Sequence, residues 1–230
     1  TQALLQFQGT EKIKSFRCDN SQELKSAAIG LKWPRDTSTP GVPQSNGLAE
    51  RWVRTSKEGT AASRIRGGAS IQWSRFAGPC FAFHHNTAGK QESPYCKRRG
   101  VECNAAKIPF FALVEFIPTP STDDAPHSMG PKVIDGLFLG YHCHAGGRWS
   151  GDYYVAEFES FRADPDCSPS DARIHRVSMC TLPSGNRCVF PLSDYREQAK
   201  RIDITGIAPK LPDDASDSGN PNPGSADLHQ

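Results

Sequence analysis

Two carboxylates, Asp19 and Glu50, sit with 30 residues between them at positions suited to holding a divalent cation. Asp19 closes the stretch KIKSFRCDN (12–20), whose alternation and Asp-Asn ending read as a strand running into a turn. Open α/β sheets place their ligands at the carboxyl ends of strands. Glu50 falls in the opening turns of a helix expected from about Ser45 to Arg66, directly after the turn-rich string TPGVPQSNGLAERWVR (39–54). Magnesium takes hard oxygen ligands and keeps water, so two or three carboxylates leave room for phosphate oxygens. A pair of such ions can activate a nucleophile and steady the leaving oxygen of an in-line displacement. Glu50, Arg54 and Lys57, at i, i+4 and i+7, share one helical face, with the carboxylate toward metal and the cations toward a phosphate backbone. The same spacing also suits an ordinary Glu50–Arg54 ion pair on a solvated helix, and spacing alone leaves both readings open.

The elements that would carry these groups follow from turn and cap chemistry. Ser21 to Ala28 reads as a short helix, AIGLKW (28–33) as a second short strand or the approach to one, and Pro34 to Asn46 as loop. Ser45 or Asn46 is the expected N-cap of the Glu50 helix and Gly67-Gly68 its end. IQWSRFAGPCFAFHHNTA (71–88) reads as another helix, kinked or split at Gly78-Pro79. Residues 89–107, polar and basic, read as a connector. From Ile108 the pattern turns to β, with IPFFALVEFIP, KVIDGLFLGYH and GDYYVAEFESF as three strands of a small barrel or meander. The end, LPDDASDSGNPNPGSADLHQ, is acidic and nearly free of large apolar groups, a composition that predicts disorder.

The formal net charge of +2 conceals an asymmetry. Residues 1–110 hold 17 Lys and Arg against 8 Asp and Glu, a net of +9, whereas residues 111–230 hold 10 against 17, a net of −7. A basic first half suits a polyanion such as nucleic acid. The eight cysteines include no CxxC pair, so neither a structural zinc site nor a disulfide framework is expected. His142, Cys143 and His144 are the tempting cluster. Consecutive strand residues point to opposite faces, so the three cannot all converge on one ion. No run approaches a membrane span and no leader pattern opens the chain, which reads as intracellular. It begins at Thr1, with its first Met at position 129, and so is expected to lie inside a longer polypeptide.

RCDNSQEL (17–24) followed by TPGVPQSNGLAERWVR resembles the second half of a retroviral-type integrase core. NTAGKQESPY (86–95) and the Phe-Leu-Gly-Tyr of GPKVIDGLFLGYH (130–142) are similar to segments that follow that core in copia-like retrotransposon polyproteins. The resemblance covers roughly residues 10 to 160. It implies an α/β chain with a partial ribonuclease-H-like fold over 1–88 and a small SH3-like β domain over 108–165; composition adds the basic connector 89–107, an irregular extension over 166–204 and a disordered acidic tail over 205–230. It further implies an Asp-Asp-Glu site for two Mg2+ or Mn2+ ions, with Asp19 and Glu50 as two of the acids. In the family, water trims the DNA ends and the exposed 3′-hydroxyl then attacks a target phosphodiester. Arg51, Arg54 and Lys57 would contact DNA, Asn20 would brace the Asp19 turn, and Gln44 and Asn46 would order the loop or touch DNA. The implied partners are the element's DNA ends, target DNA and the rest of the Pol polyprotein. The intact integrase would be homo-oligomeric and act in the nucleus.

The pattern is incomplete in this sequence. The family's first Asp lies several tens of residues before the second, and none of the 18 residues before Asp19 is Asp. The His/Cys zinc module of such integrases is missing as well, and the Asp19 to Glu50 spacing is somewhat short. The expectation is therefore an integrase fragment, inactive by itself, with a sheet edge and face left open. The alternative is a noncatalytic nucleic-acid-binding module of the same ancestry. For the aromatic runs Phe110–Phe116 and Phe138–Tyr141, barrel core is expected over a stacking platform for single strands.

Overall fold

The computed structural model describes residues 2–18, 21–37, 47–118, 132–183 and 187–200. Its architecture is mixed α/β: helices accompany a two-stranded parallel sheet near the start and a five-stranded antiparallel sheet later. The expected acidic tail lies outside the described residues.

After α1 (Gln2–Gln8), the chain forms a β-α-β unit of β1 (Phe16–Cys18), α2 (Gln22–Gly30) and β2 (Arg35–Thr37). Ser21 caps α2, its hydroxyl accepting from the Leu24 amide. Residues 28–33 form no strand themselves but are the approach to one, the other form of the expectation. α2 continues to Gly30, Lys32 adopts a left-handed φ of 54°, and Trp33 N–H donates to the Ala28 carbonyl, which reverses the chain. The second strand forms beyond Pro34, inside the stretch expected as loop, and pairs in parallel with β1 from Phe16↔Arg35 to Cys18↔Thr37.

α3 spans Gly47–Gly67, close to the expected helix. It stops where Gly68 turns left-handed at φ +70°, the Gly68 and Ala69 amides returning to the Ile65 and Arg64 carbonyls at 3.0 Å each. Gly59 has a packing role: a Cβ there would fall 2.1 Å from the Phe81 ring, so only glycine lets α3 lie this close to the next helix. A 3-10 turn at Ile71–Trp73 then leads into α4 (Ser74–Thr87). The helix expected to kink or split at Gly78-Pro79 does not split there, and α4 runs through Pro79. Packing on α3 along one side and on the sheet along the other holds this helix together.

The stretch 89–107, expected as a plain connector, contains α5 (Pro94–Arg99), capped by Ser93 at its start and by left-handed Gly100 at its end. β3 (Leu113–Phe116), β4 (Ile134–Cys143) and β5 (Trp149–Glu157) occupy the three expected strand regions, and α6 (Phe158–Ala163) takes the FESF end of the last. The stretch 166–204, expected as irregular, supplies β6 (Ile174–Val177), β7 (Cys180–Thr181) and α7 (Pro191–Lys200). The two strands flank the sheet, whose order is β6-β5-β4-β3-β7.

One hydrophobic core joins α4 to this sheet. Ala77, Cys80 and Phe83 of α4 meet Leu113, Val114 and Phe116 of β3, Leu137, Phe138 and Leu139 of β4, and Val155 of β5. Trp73 lies at its heart, its ring 5.1 Å from Phe111 and 5.4 Å from Phe161, with its indole N–H donating to the Cys167 carbonyl at 2.9 Å. The polar edge of the indole is thereby satisfied while the rest is buried. The division expected at residue 88 consequently does not separate two cores, because α4 precedes it and the sheet follows it. The aromatic runs are core, as Phe110, Phe111, Phe116, Phe138 and Tyr141 are all buried.

Candidate nucleic-acid interface

α3 divides lengthwise. From Gly59 onward it lies against α4, and its end meets α7, where Arg196 donates to the Gly68 carbonyl at 2.5 Å. Its first turns are uncovered: Leu48, Trp52 and Val53 are 71, 50 and 54% exposed, and Glu50, Arg51, Arg54 and Lys57 are exposed beside them. Trp52 rests edge-on against His85 of α4, with ring centroids 5.0 Å apart. Ala49, Glu50, Val53, Arg54, Lys57 and Glu58 line an open hollow of about 570 Å3 on this surface. Glu50, Arg54 and Lys57 therefore share one face, the arrangement expected from their spacing.

Their pairing differs from the expected alternative. Arg54 turns forward to Glu58, with Nε 2.8 Å from Oε1, instead of back to Glu50. The Glu58 hydrogen bond, reinforced by its charge, holds the Arg54 guanidinium above its usual pKa. Glu58 lies one turn after Arg54 as Glu50 lies one turn before it, and the helix offers both partners at equal spacing. Arg54 is consequently a committed cation, whereas Lys57 on that face and Arg51 beside it are exposed and form no ion pair among the described residues.

Asp19, Asn20, Gln44 and Asn46 lie outside the described residues. The described neighbourhood of Asp19 ends at buried Cys18 on β1, beside the cross-strand contact of Arg17 with Asp36 at 3.8 Å. Among the described residues no group of three or more His, Cys, Asp or Glu side chains gathers to hold a metal ion. Glu50 is the one predicted carboxylate that can be placed, and by itself it does not make a Mg2+ or Mn2+ centre.

The eight cysteines are free thiols. Burial pushes Cys80 and Cys180 up to about 12 and Cys143 to about 11, which keeps them protonated and poor nucleophiles. Two polar networks escaped the sequence reading. In one, His84 Nε2 lies 2.9 Å from the Tyr141 hydroxyl, which donates to the Ala106 carbonyl at 2.7 Å and accepts from the Ile108 amide at 3.2 Å. In the other, His142, Ser150, Asp152 and Arg176 form a chain across β4, β5 and β6. The available signal for the second was Gly151 inside a strand pattern, since an interior glycine marks a bulge.

Among the described residues no helix is long and apolar enough to cross a membrane. Comparisons of the chain with protein-family models, with curated proteins and with solved structures found no match.

Proposed function

We propose that this chain is part of a copia-like integrase acting in DNA integration, and that on its own it binds DNA through the first turns of α3 without joining it. The parallel β1-α2-β2 unit followed by a long Glu-bearing helix is the arrangement a partial ribonuclease-H-like core would have, and the sheet after Ile108 is the counterpart of an SH3-like domain. The observation that carries the reading is the uncovered, basic opening of α3, where Arg51 and Lys57 stand exposed within two turns of Glu50. Lys and Arg on such a face neutralise phosphates and release counterions, so binding falls as salt rises. Glu50 and Asp19 would supply two of three acids for a pair of Mg2+ or Mn2+ ions. The described residues alone do not complete that set, and no catalytic step is assigned to this chain.

The test is duplex binding by the 230-residue chain over a salt series, together with a strand-transfer assay in Mg2+. Binding that weakens steeply with salt is expected, with Arg51→Ala and Lys57→Ala each lowering the slope of log K against log salt by about one. Absence of duplex binding at low salt refutes the reading. Strand transfer by the isolated chain, abolished by Asp19→Asn or Glu50→Gln, overturns the noncatalytic part and leaves the integrase part standing.

A further inference from the structure

The β4–β5 hairpin carries an irregularity remote from α3. Tyr141 pairs with Tyr153 and Cys143 with Trp149, so a single residue, His142, faces three on β5: Ser150, Gly151 and Asp152. Gly151, at φ +101°, occupies backbone space that other residues rarely enter and makes this wide bulge accessible. The bulge places Ser150 against the histidine and Asp152 behind Ser150. Ser150 Oγ lies 2.7 Å from His142 Nδ1 and 3.3 Å from Asp152 Oδ2, and Arg176 Nε donates to that same carboxylate oxygen at 2.7 Å.

These contacts support one tautomer. When the Ser150 hydroxyl donates to the His142 carbonyl at 3.0 Å or to Asp152, its oxygen is left to accept. The ring nitrogen 2.7 Å away can then be an Nδ1–H donor, and in that tautomer the lone pair is on His142 Nε2. A histidine held through one ring nitrogen with the other bare is the usual state of a metal ligand.

The second imidazole stands close by. His144, two residues along, lies on the same face as His142, its ring centroid 5.7 Å away and its plane nearly perpendicular. Its backbone is tied into the hairpin turn, the amide donating to the Arg148 carbonyl at 2.8 Å and its carbonyl accepting from Gly147 at 3.0 Å. Two imidazoles that bind one ion at about 2.0–2.1 Å in neighbouring positions bring their centroids roughly 4.5 to 5.5 Å apart, so a small ring rotation brings this pair into range. Cys143 faces the other way, into the core, with its thiol protonated.

We propose that His142 and His144 form an open two-imidazole site for a borderline divalent transition ion, such as Ni2+, Zn2+ or Cu2+, with Ser150, backed by Asp152, holding the His142 ring through Nδ1. Neutral imidazole suits these ions and not hard Mg2+ or Ca2+. No third His, Cys, Asp or Glu among the described residues completes a cage, so water fills the remaining positions and the ion exchanges freely. The site owes nothing to Glu50 or to the integrase reading, and its outcome is independent of DNA binding.

Ni2+ titration of the full chain, followed by calorimetry and by paramagnetic broadening of the histidine ring resonances, tests the proposal. One ion is expected to bind, with broadening centred on His142 and His144. His144→Ala should weaken binding at least about tenfold and Ser150→Ala about tenfold, Ser150→Thr restoring it, while His85→Ala changes nothing. Ser150→Ala should also redistribute the His142 ring nitrogen shifts between tautomers, which loss of packing alone would not do. His144 is exposed, so its replacement leaves the core intact and carries the test even if His142→Ala fails to fold. No binding up to millimolar Ni2+, or binding unaltered by His144→Ala and so held by thiols or other histidines, overturns it.

Discussion

The first third of the chain and the α4–sheet unit are built on opposite terms. Around Trp73 and Phe138 the sheet, α4, α6 and α7 interlock until large side chains are entirely withdrawn from water. Before Gly67, by contrast, the buried apolar residues among those described are Cys18 and Ala28, while Ile29, Leu48, Trp52 and Val53 remain exposed. A two-stranded parallel sheet ordinarily needs cover on both faces. Among the described residues one short helix, α2, packs on it, and the chemistry-bearing turns of α3 extend beyond the packed part. Stability resides in one region and candidate recognition in the other, so substitutions in the two should report on different properties.

The largest contrast is in stability. Trp73→Ala removes the side chain at the meeting point of α4, Phe111 and Phe161, and should cost about 3–5 kcal/mol in urea unfolding. A loss below about 1 kcal/mol would mean that α4 and the sheet do not share a core. Gly68→Ala follows, because it puts a Cβ on a left-handed residue and within 2.4 Å of the Ser193 amide nitrogen. About 1–3 kcal/mol is expected, visible as a lower urea midpoint with α7 loosened from α3 in hydrogen exchange.

A pH effect comes next. Burial, followed by the charge of Lys107, lowers the His84 pKa below its ordinary 6.5. Between the folded value and 6.5 the unfolded chain binds more protons, so stability should fall as pH drops from 6.5 toward that lower value and level off beneath it. His84→Gln should flatten that part of the stability profile, and an unchanged profile would remove His84 as its source. The smallest effect belongs to the uncovered region: Val53→Ala should leave stability within about 0.5 kcal/mol of wild type. A larger loss would show that the opening of α3 is packed after all.

Legibility in the sequence followed the range of the deciding interaction. α3 and α2 were readable because caps, glycines and helix-forming composition act within a few residues, and the long strands β4 and β5 because their apolar runs are continuous. β2, β6 and β7 were not, being two to four residues long and defined by partners distant in sequence. At the candidate interface, the shared face of Glu50, Arg54 and Lys57 follows from helical period alone. The partner of Arg54 does not, because Glu50 and Glu58 lie at equal helical distance and only the folded side chain selects one.

The amino-acid sequence by itself determined where charge accumulates, where α3 begins and ends, and which side chains lie along its basic face, since these depend on neighbours no more than a few residues apart. Tertiary structure decided that α4 belongs with the sheet, that the aromatic runs are core, and that a bulge at Gly151 sets Ser150 against His142 with Asp152 behind it. Each of these depends on groups far apart in the chain meeting across a strand pair or a buried surface, and local propensity carries no record of such meetings.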